Sequence, residues 1–150
     1  MQLHAEALTI AQRALDETGA AIMSGEFAAI EKTFALPALF GTFEGEVIIK
    51  TVQELAARFA DVRAHHRSLG VTEIVRNIIE CDWHDEKTIH TMYQSRLLSG
   101  NILVQAPYNT LTNLKIIDGE WKCSSMLITI PDSEKHNEAL LGGSQLGDDT

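Results

Sequence analysis

The chain has 150 residues, 45% hydrophobic and 22% charged, a composition that fits one globular domain and excludes a disordered chain. Twelve Lys plus Arg against 21 Asp plus Glu give a net charge of -9, and without a basic cluster the chain lacks the face that nucleic-acid phosphates require. No apolar run approaches the ~20 residues of a membrane span, and the N-terminus has no signal-peptide pattern, so a cytoplasmic protein with no membrane partner is expected.

Residues 6–24 read as a helix, with Leu8, Ala11, Leu15 and Ile22 at helical spacing and Ser24-Gly25 as its break. A short helix follows from Glu26 to about Phe34. The stretch Leu36–Gly45 contains Pro37, Gly41 and Gly45 among aromatic residues and suggests a short edge strand, and Glu46–Lys50 suggests a second strand. Thr51 then opens the clearest helix. Thr51 and Glu54 form a capping-box pattern, Leu55, Phe59, Val62, His66 and Leu69 make an apolar stripe, and Gly70 is placed to close it.

From Val71 the period changes to that of strands. Four runs are expected, Val71–Trp83, Thr88–Leu98, Ile102–Ile117 and Trp121–Ile130. The first connection carries Trp83-His84-Asp85 near its tip, and Asp118-Gly119 is a strong two-residue hairpin signal. Three of the runs exceed ten residues, which implies bent or bulged strands, and Pro107 calls for a bulge or an edge position. Residues 132–150 carry five acidic residues against one lysine and several glycines, and read as a largely flexible tail. Within it, Glu134–Leu141 has the pattern of a helical turn against the body or a partner.

Helices followed by long antiparallel strands make an α+β fold, with three N-terminal helices packed on a strongly curved, mainly antiparallel sheet. This order resembles the SnoaL-like and nuclear-transport-factor-like superfamily, which includes ketosteroid isomerase. The resemblance covers roughly Leu8 to Pro131 as one domain. It is carried by Ser24-Gly25-Glu26-Phe27, the Thr51–Leu69 helix and the Asp118-Gly119-Glu120-Trp121-Lys122 hairpin. It implies a cone with a central pocket, and a homodimer through the outer sheet face. Apolar residues of both parities in the first and last long strands support a covered outer face independently.

The resemblance does not bring a catalytic set with it. Ketosteroid-isomerase-like members place an aspartate base and a tyrosine or acid oxyanion donor in the pocket. Here the first long helix has no tyrosine, and the first short strand has only Glu44 and Glu46 beside it. Catalytic residues are therefore unassigned, and whether the protein is an enzyme of isomerase, cyclase or dehydratase type stays open.

Five residues are candidates for binding a small, mostly apolar molecule: His66, Tyr93, Tyr108, Arg76 and Asn109. His66 lies on the apolar stripe of its helix while His65 falls on the polar side with Arg58 and Asp61. It is either a pocket base or anchor, or a core histidine satisfied by backbone or a tyrosine. Arg76 and Arg96 sit mid-strand among apolar neighbours, where a charge needs a partner or a ligand. Arg76 shares parity with Ile74, Ile78 and Glu80, so an intra-sheet salt bridge competes with an acidic ligand. Tyr93, Tyr108 and Asn109 add neutral polar groups. No cofactor motif and no metal-ligand spacing is present, and Cys81 and Cys123 read as reduced thiols, with a cross-strand disulfide as the alternative. The competing overall reading is a non-enzymatic homodimeric module whose pocket is filled by Phe34, Phe40 and Phe59.

Overall fold

The computed structural model describes residues 2–130 and 134–142. The elements in order are α1 (Gln2–Ser24), α2 (Phe27–Glu31), β1 (Phe34–Thr42), β2 (Gly45–Ile49), α3 (Val52–Leu69), β3 (Glu73–Asp85), β4 (Thr88–Ser99), β5 (Ile102–Leu103), β6 (Tyr108–Ile117), β7 (Glu120–Thr129) and α4 (Glu134–Leu141). The fold is α+β, as expected, with helices against one face of a mostly antiparallel sheet. The strand order is β2-β1-β7-β6-β4-β3, with β5 paired to the end of β4. Only the β1–β7 pair among the described strands is parallel.

Local chemistry explains the element ends. The Thr51 side chain accepts a hydrogen bond from the Glu54 N–H at 3.1 Å, and the Glu54 carboxylate reaches back to the Lys50 N–H at 2.7 Å. At the other end Gly70 takes the left-handed conformation (φ 69°), and the Gly70 and Val71 amides close onto the Arg67 and His66 carbonyls. Asp118 (φ 53°) and Gly119 (φ 82°) both have positive φ, which matches the twist of a tight β6–β7 hairpin.

Two bulges decide which side chains face inward. In β3 the pairing shifts between Ile78, opposite Tyr93, and Glu80, opposite Met92. The extra residue, Ile79, turns Glu80 to the outer face and Cys81 and Trp83 to the inner one. In β7 a shift opposite Asn113 and Leu114 puts Trp121 and Cys123 on the same inner face as Met126 and Ile128. Trp83 is therefore not at a hairpin tip: its ring meets Trp121 at 5.7 Å between centroids.

Other elements depart from the sequence pattern. β1 is an interior strand between β2 and β7 rather than an edge, and Pro37 lies where its pairing with β7 is interrupted between Phe34 and Leu39. Phe34 belongs to β1, not to the short helix. The run Ile102–Ile117 is two strands, β5 and β6, because Pro107 supplies no N–H for a continuous ladder. On α1 the buried stripe is Ala7, Ala11 and Leu15, and Leu8 is exposed. Its small alanines let the helix lie close to the sheet. The tail read as flexible includes α4, whose Leu140 and Leu141 are buried; residues 143–150 lie outside the described residues.

The core consists of three buried groups along the sheet's inner face, centred on Ile89, on Phe40 with Leu55, and on Leu97 with Ile130. Met126 packs against all three, a joint suited to an unbranched, adaptable side chain. Cys81 and Cys123 are buried in the first group as free thiols.

Candidate functional site

Between the helices and the sheet lie two chambers. The outer one, about 330 Å³, runs between α1 and the strands β3, β4, β6 and β7. The inner one, about 90 Å³, lies beneath α3 and α4. Ile22, Ile30, Phe34, Arg76, Tyr93 and Met126 line both, so the two meet at Arg76 and Tyr93.

Four of the five candidate residues meet here. His66, Arg76, Tyr93 and Tyr108 line the inner chamber, and Asn109 does not. Strand alternation explains the difference: Tyr108 and Thr110 point inward, which leaves Asn109 between them on the outer face, opposite Gln94 and Thr129. Arg96 is likewise opposite Val75 on the outer face.

Arg76 has no salt bridge among the described residues, because the Ile79 bulge has turned Glu80 away. Instead Nη1 donates to Thr18 Oγ1 at 2.9 Å, and the guanidinium carbon stands 5.4 Å from the centre of the Tyr93 ring. The Thr18 hydroxyl donates to the Ala14 carbonyl at 3.0 Å, which leaves its lone pairs for the guanidinium. Arg76 Nε is buried without a hydrogen-bond partner.

His66 is 7% exposed, and its Nε2 is buried without a partner. Burial, followed by the nearby charges of His65, Arg76 and Arg63, lowers its pKa to about 4, so the ring is neutral at pH 7. Burial also raises the pKa of both tyrosines, Tyr108 to about 12, so both phenols keep their protons. Neither phenol is an anion that would neutralise Arg76.

The position of His65 corrects the sequence reading. It is buried, not solvated with Arg58 and Asp61, because α4 covers that side of α3. His65 Nε2 donates to the Gln105 side-chain oxygen at 3.0 Å, and the Gln105 amide donates to His136 Nδ1 at 3.0 Å. The His136 ring is edge-on to Tyr108 at 5.2 Å and to His66 at 5.7 Å. Burial, then the charges of His65 and His66, lowers the His136 pKa to about 2. Arg58 pairs with Asp61 at 2.8 Å and also lies against Gly142, where an added Cβ would collide with its guanidinium. Thr18, Gln105 and His136 were not among the sequence candidates. The pairing of His136 with Leu140 and of Asn137 with Leu141 at helical spacing is the signal that marks α4 as a buried helix.

Among the described residues no group of three His, Cys, Asp or Glu side chains is placed to hold a metal ion. None of the described helices is long and apolar enough to cross a membrane.

Neither a protein-family model nor a curated protein matches the sequence. Solved structures do match the fold. A domain of unknown function with a cystatin-like fold, from Nostoc punctiforme PCC 73102, superposes with a TM-score of 0.67 at 16% identity, over 96% of this chain and 93% of that one. An NTF-2-like protein of unknown function from Shewanella oneidensis MR-1 gives 0.63 at 11% identity, over 81% and 98%. The fold is nuclear-transport-factor-like. A ketosteroid isomerase-like protein from Erwinia carotovora atroseptica shares it, with a TM-score of 0.61 at 13% identity over 85% of this chain and 98% of that one. At these identities the likeness is one of fold, and the chemistry of this nuclear-transport-factor-like cone has to be read from its own side chains.

Proposed function

We propose that the protein binds a small, mostly apolar molecule in the two-chambered cavity. The observation that carries this reading is His66: a neutral imidazole, 7% exposed, with Nε2 unpartnered at the wall of a chamber whose apolar lining includes Phe40, Leu55, Phe59 and Ile128. A buried polar atom without a partner is costly, and a ligand group that bonds to it removes that cost. The described lining of the inner chamber holds no carboxylate beside the histidine, and the reading is one of binding. Native mass spectrometry of the untagged protein, with a fluorescence titration of the neutral probe N-phenyl-1-naphthylamine, tests it. A retained discrete mass or saturable binding of one probe per chain is expected. No retained mass and no saturable binding together would overturn it in favour of a filled, structural core.

A homodimer through the outer sheet face is the second part of the reading. Met92, Leu111 and Leu127 are direct register partners in one row across β4, β6 and β7, and Leu39 and Ile48 pair one step further along. Leu111 is 43% and Leu127 44% exposed in the single chain. Exposed apolar pairs of this kind favour burial against a second copy through an isologous contact.

A further inference from the structure

Resting on the cavity reading above, we infer that the ligand is an organic anion, an apolar body carrying one carboxylate or similar oxyanion, whose charge is met by Arg76 with His66 as hydrogen-bond donor beside it.

The chain carries a net charge of -9, yet the described lining of the inner chamber holds Arg58, Arg76, His66 and His136 and no acidic residue. Arg58 is already paired with Asp61. Arg76 has only the Thr18 hydroxyl and the Tyr93 ring face, and its Nε is buried without a partner. A guanidinium brought into an apolar cavity loses hydration, and a neutral hydroxyl and a ring face replace only part of it. An oxyanion fits the remaining donors in the fork geometry of arginine. The acidic residues of the outer chamber, Glu17 and Glu120, are exposed at its rim, as are Arg13 and Lys32, so the inward charge is that of Arg76.

His66 complements this arrangement. Its ring is neutral, so one nitrogen carries a proton and the other a lone pair. With the proton on Nε2, the tautomer an anion selects, it donates to the second ligand oxygen. The apolar body would lie against Phe34 and Met126, where the chambers join.

The test compares two probes with the same aromatic body: N-phenyl-1-naphthylamine and its sulfonate, 8-anilinonaphthalene-1-sulfonate. Fluorescence titrations are run on the full chain, and on Leu127→Lys to remove binding at the outer face. The sulfonate is expected to bind about tenfold tighter than the neutral probe, the scale of one charge-assisted hydrogen bond. Arg76→Gln should abolish that preference, read as the ratio of the two probes' affinities for the same variant, while Arg76→Lys should keep part of it. If Arg76→Gln does not fold, Thr18→Val serves. It keeps the charge but loses the hydroxyl that holds the guanidinium, and should reduce the preference by about threefold. Equal binding of both probes to the wild type, or a preference unchanged in these variants, would overturn the anion inference and leave the cavity reading intact. Failure of both probes to bind would overturn both.

Discussion

His136 of α4 packs against His65 of α3 with their ring centroids 4.5 Å apart and their planes tilted by 32°, and Gln105 bridges the two rings from the β5–β6 connection. One amide thus ties three separate chain segments together above the inner chamber. Gln105→Leu keeps the volume but removes the amide from both rings. A loss of about 1–3 kcal/mol is expected, the cost of taking a hydrogen-bond partner from a buried polar group. Urea unfolding measures it, and hydrogen exchange should show the α4 amides opening faster. Unchanged stability together with unchanged exchange would mean that α4 is held by Leu140 and Leu141 alone.

Acid should weaken the fold in a window set by two histidines. Both have folded pKa values below the ordinary 6.5, His66 at about 4 and His136 at about 2. The unfolded chain takes up protons at these rings below pH 6.5 while the folded chain does not. Stability is therefore whole above that pH, and is lost as pH falls toward 4 for His66 and further for His136. Each ring contributes a slope of roughly 1 kcal/mol per pH unit within its window. Urea midpoints at pH 7, 6 and 5 should decline in the wild type, and His66→Phe should show a shallower decline. Parallel declines in the two proteins would contradict the burial of a neutral His66.

The outer sheet row predicts an oligomeric state. Sedimentation velocity of the wild type should give a dimer, and Leu127→Lys, with its charge opposite Leu111, should give a folded monomer. A wild-type monomer at micromolar concentration would exclude the dimer reading.

The two thiols should be silent in the native protein. Cys81 is 2% and Cys123 7% exposed, and burial raises the pKa of both, Cys123 to about 12. A chromogenic disulfide reagent at pH 8 should label neither thiol in the native protein and both in urea. Rapid labelling of Cys123 without denaturant would show that the β7 bulge opens readily.

What the sequence made legible was what is decided locally. Thr51 with Glu54, Gly70, and Asp118-Gly119 each act over four residues or fewer, and the structure has them as read. The faces of the long strands were only partly legible. Strict alternation holds in β6, where Tyr108, Thr110, Thr112 and Leu114 all point inward. It fails in β3 and β7, because the extra residues Ile79 and Ser124 reverse the order beyond them, and no residue type announces a bulge at Ile79. His65 was misread for a different reason. Its burial depends on α4, which lies about seventy positions further along the chain.

The unpaired Ile79 in β3 also bears on the charge inside this cavity. Ile79 lines neither chamber, yet taking it into regular pairing with β4 would slide the strand's remainder by one step. Glu80 would then swing inward two places from Arg76, and the strand would supply its own counter-ion. The cavity's charge is thus set by how the strand pairs as well as by residue identity. Two relatives with the same arginine and glutamate, one with this bulge between them and one without it, would hold that arginine in different states, one available to a ligand and one already neutralised.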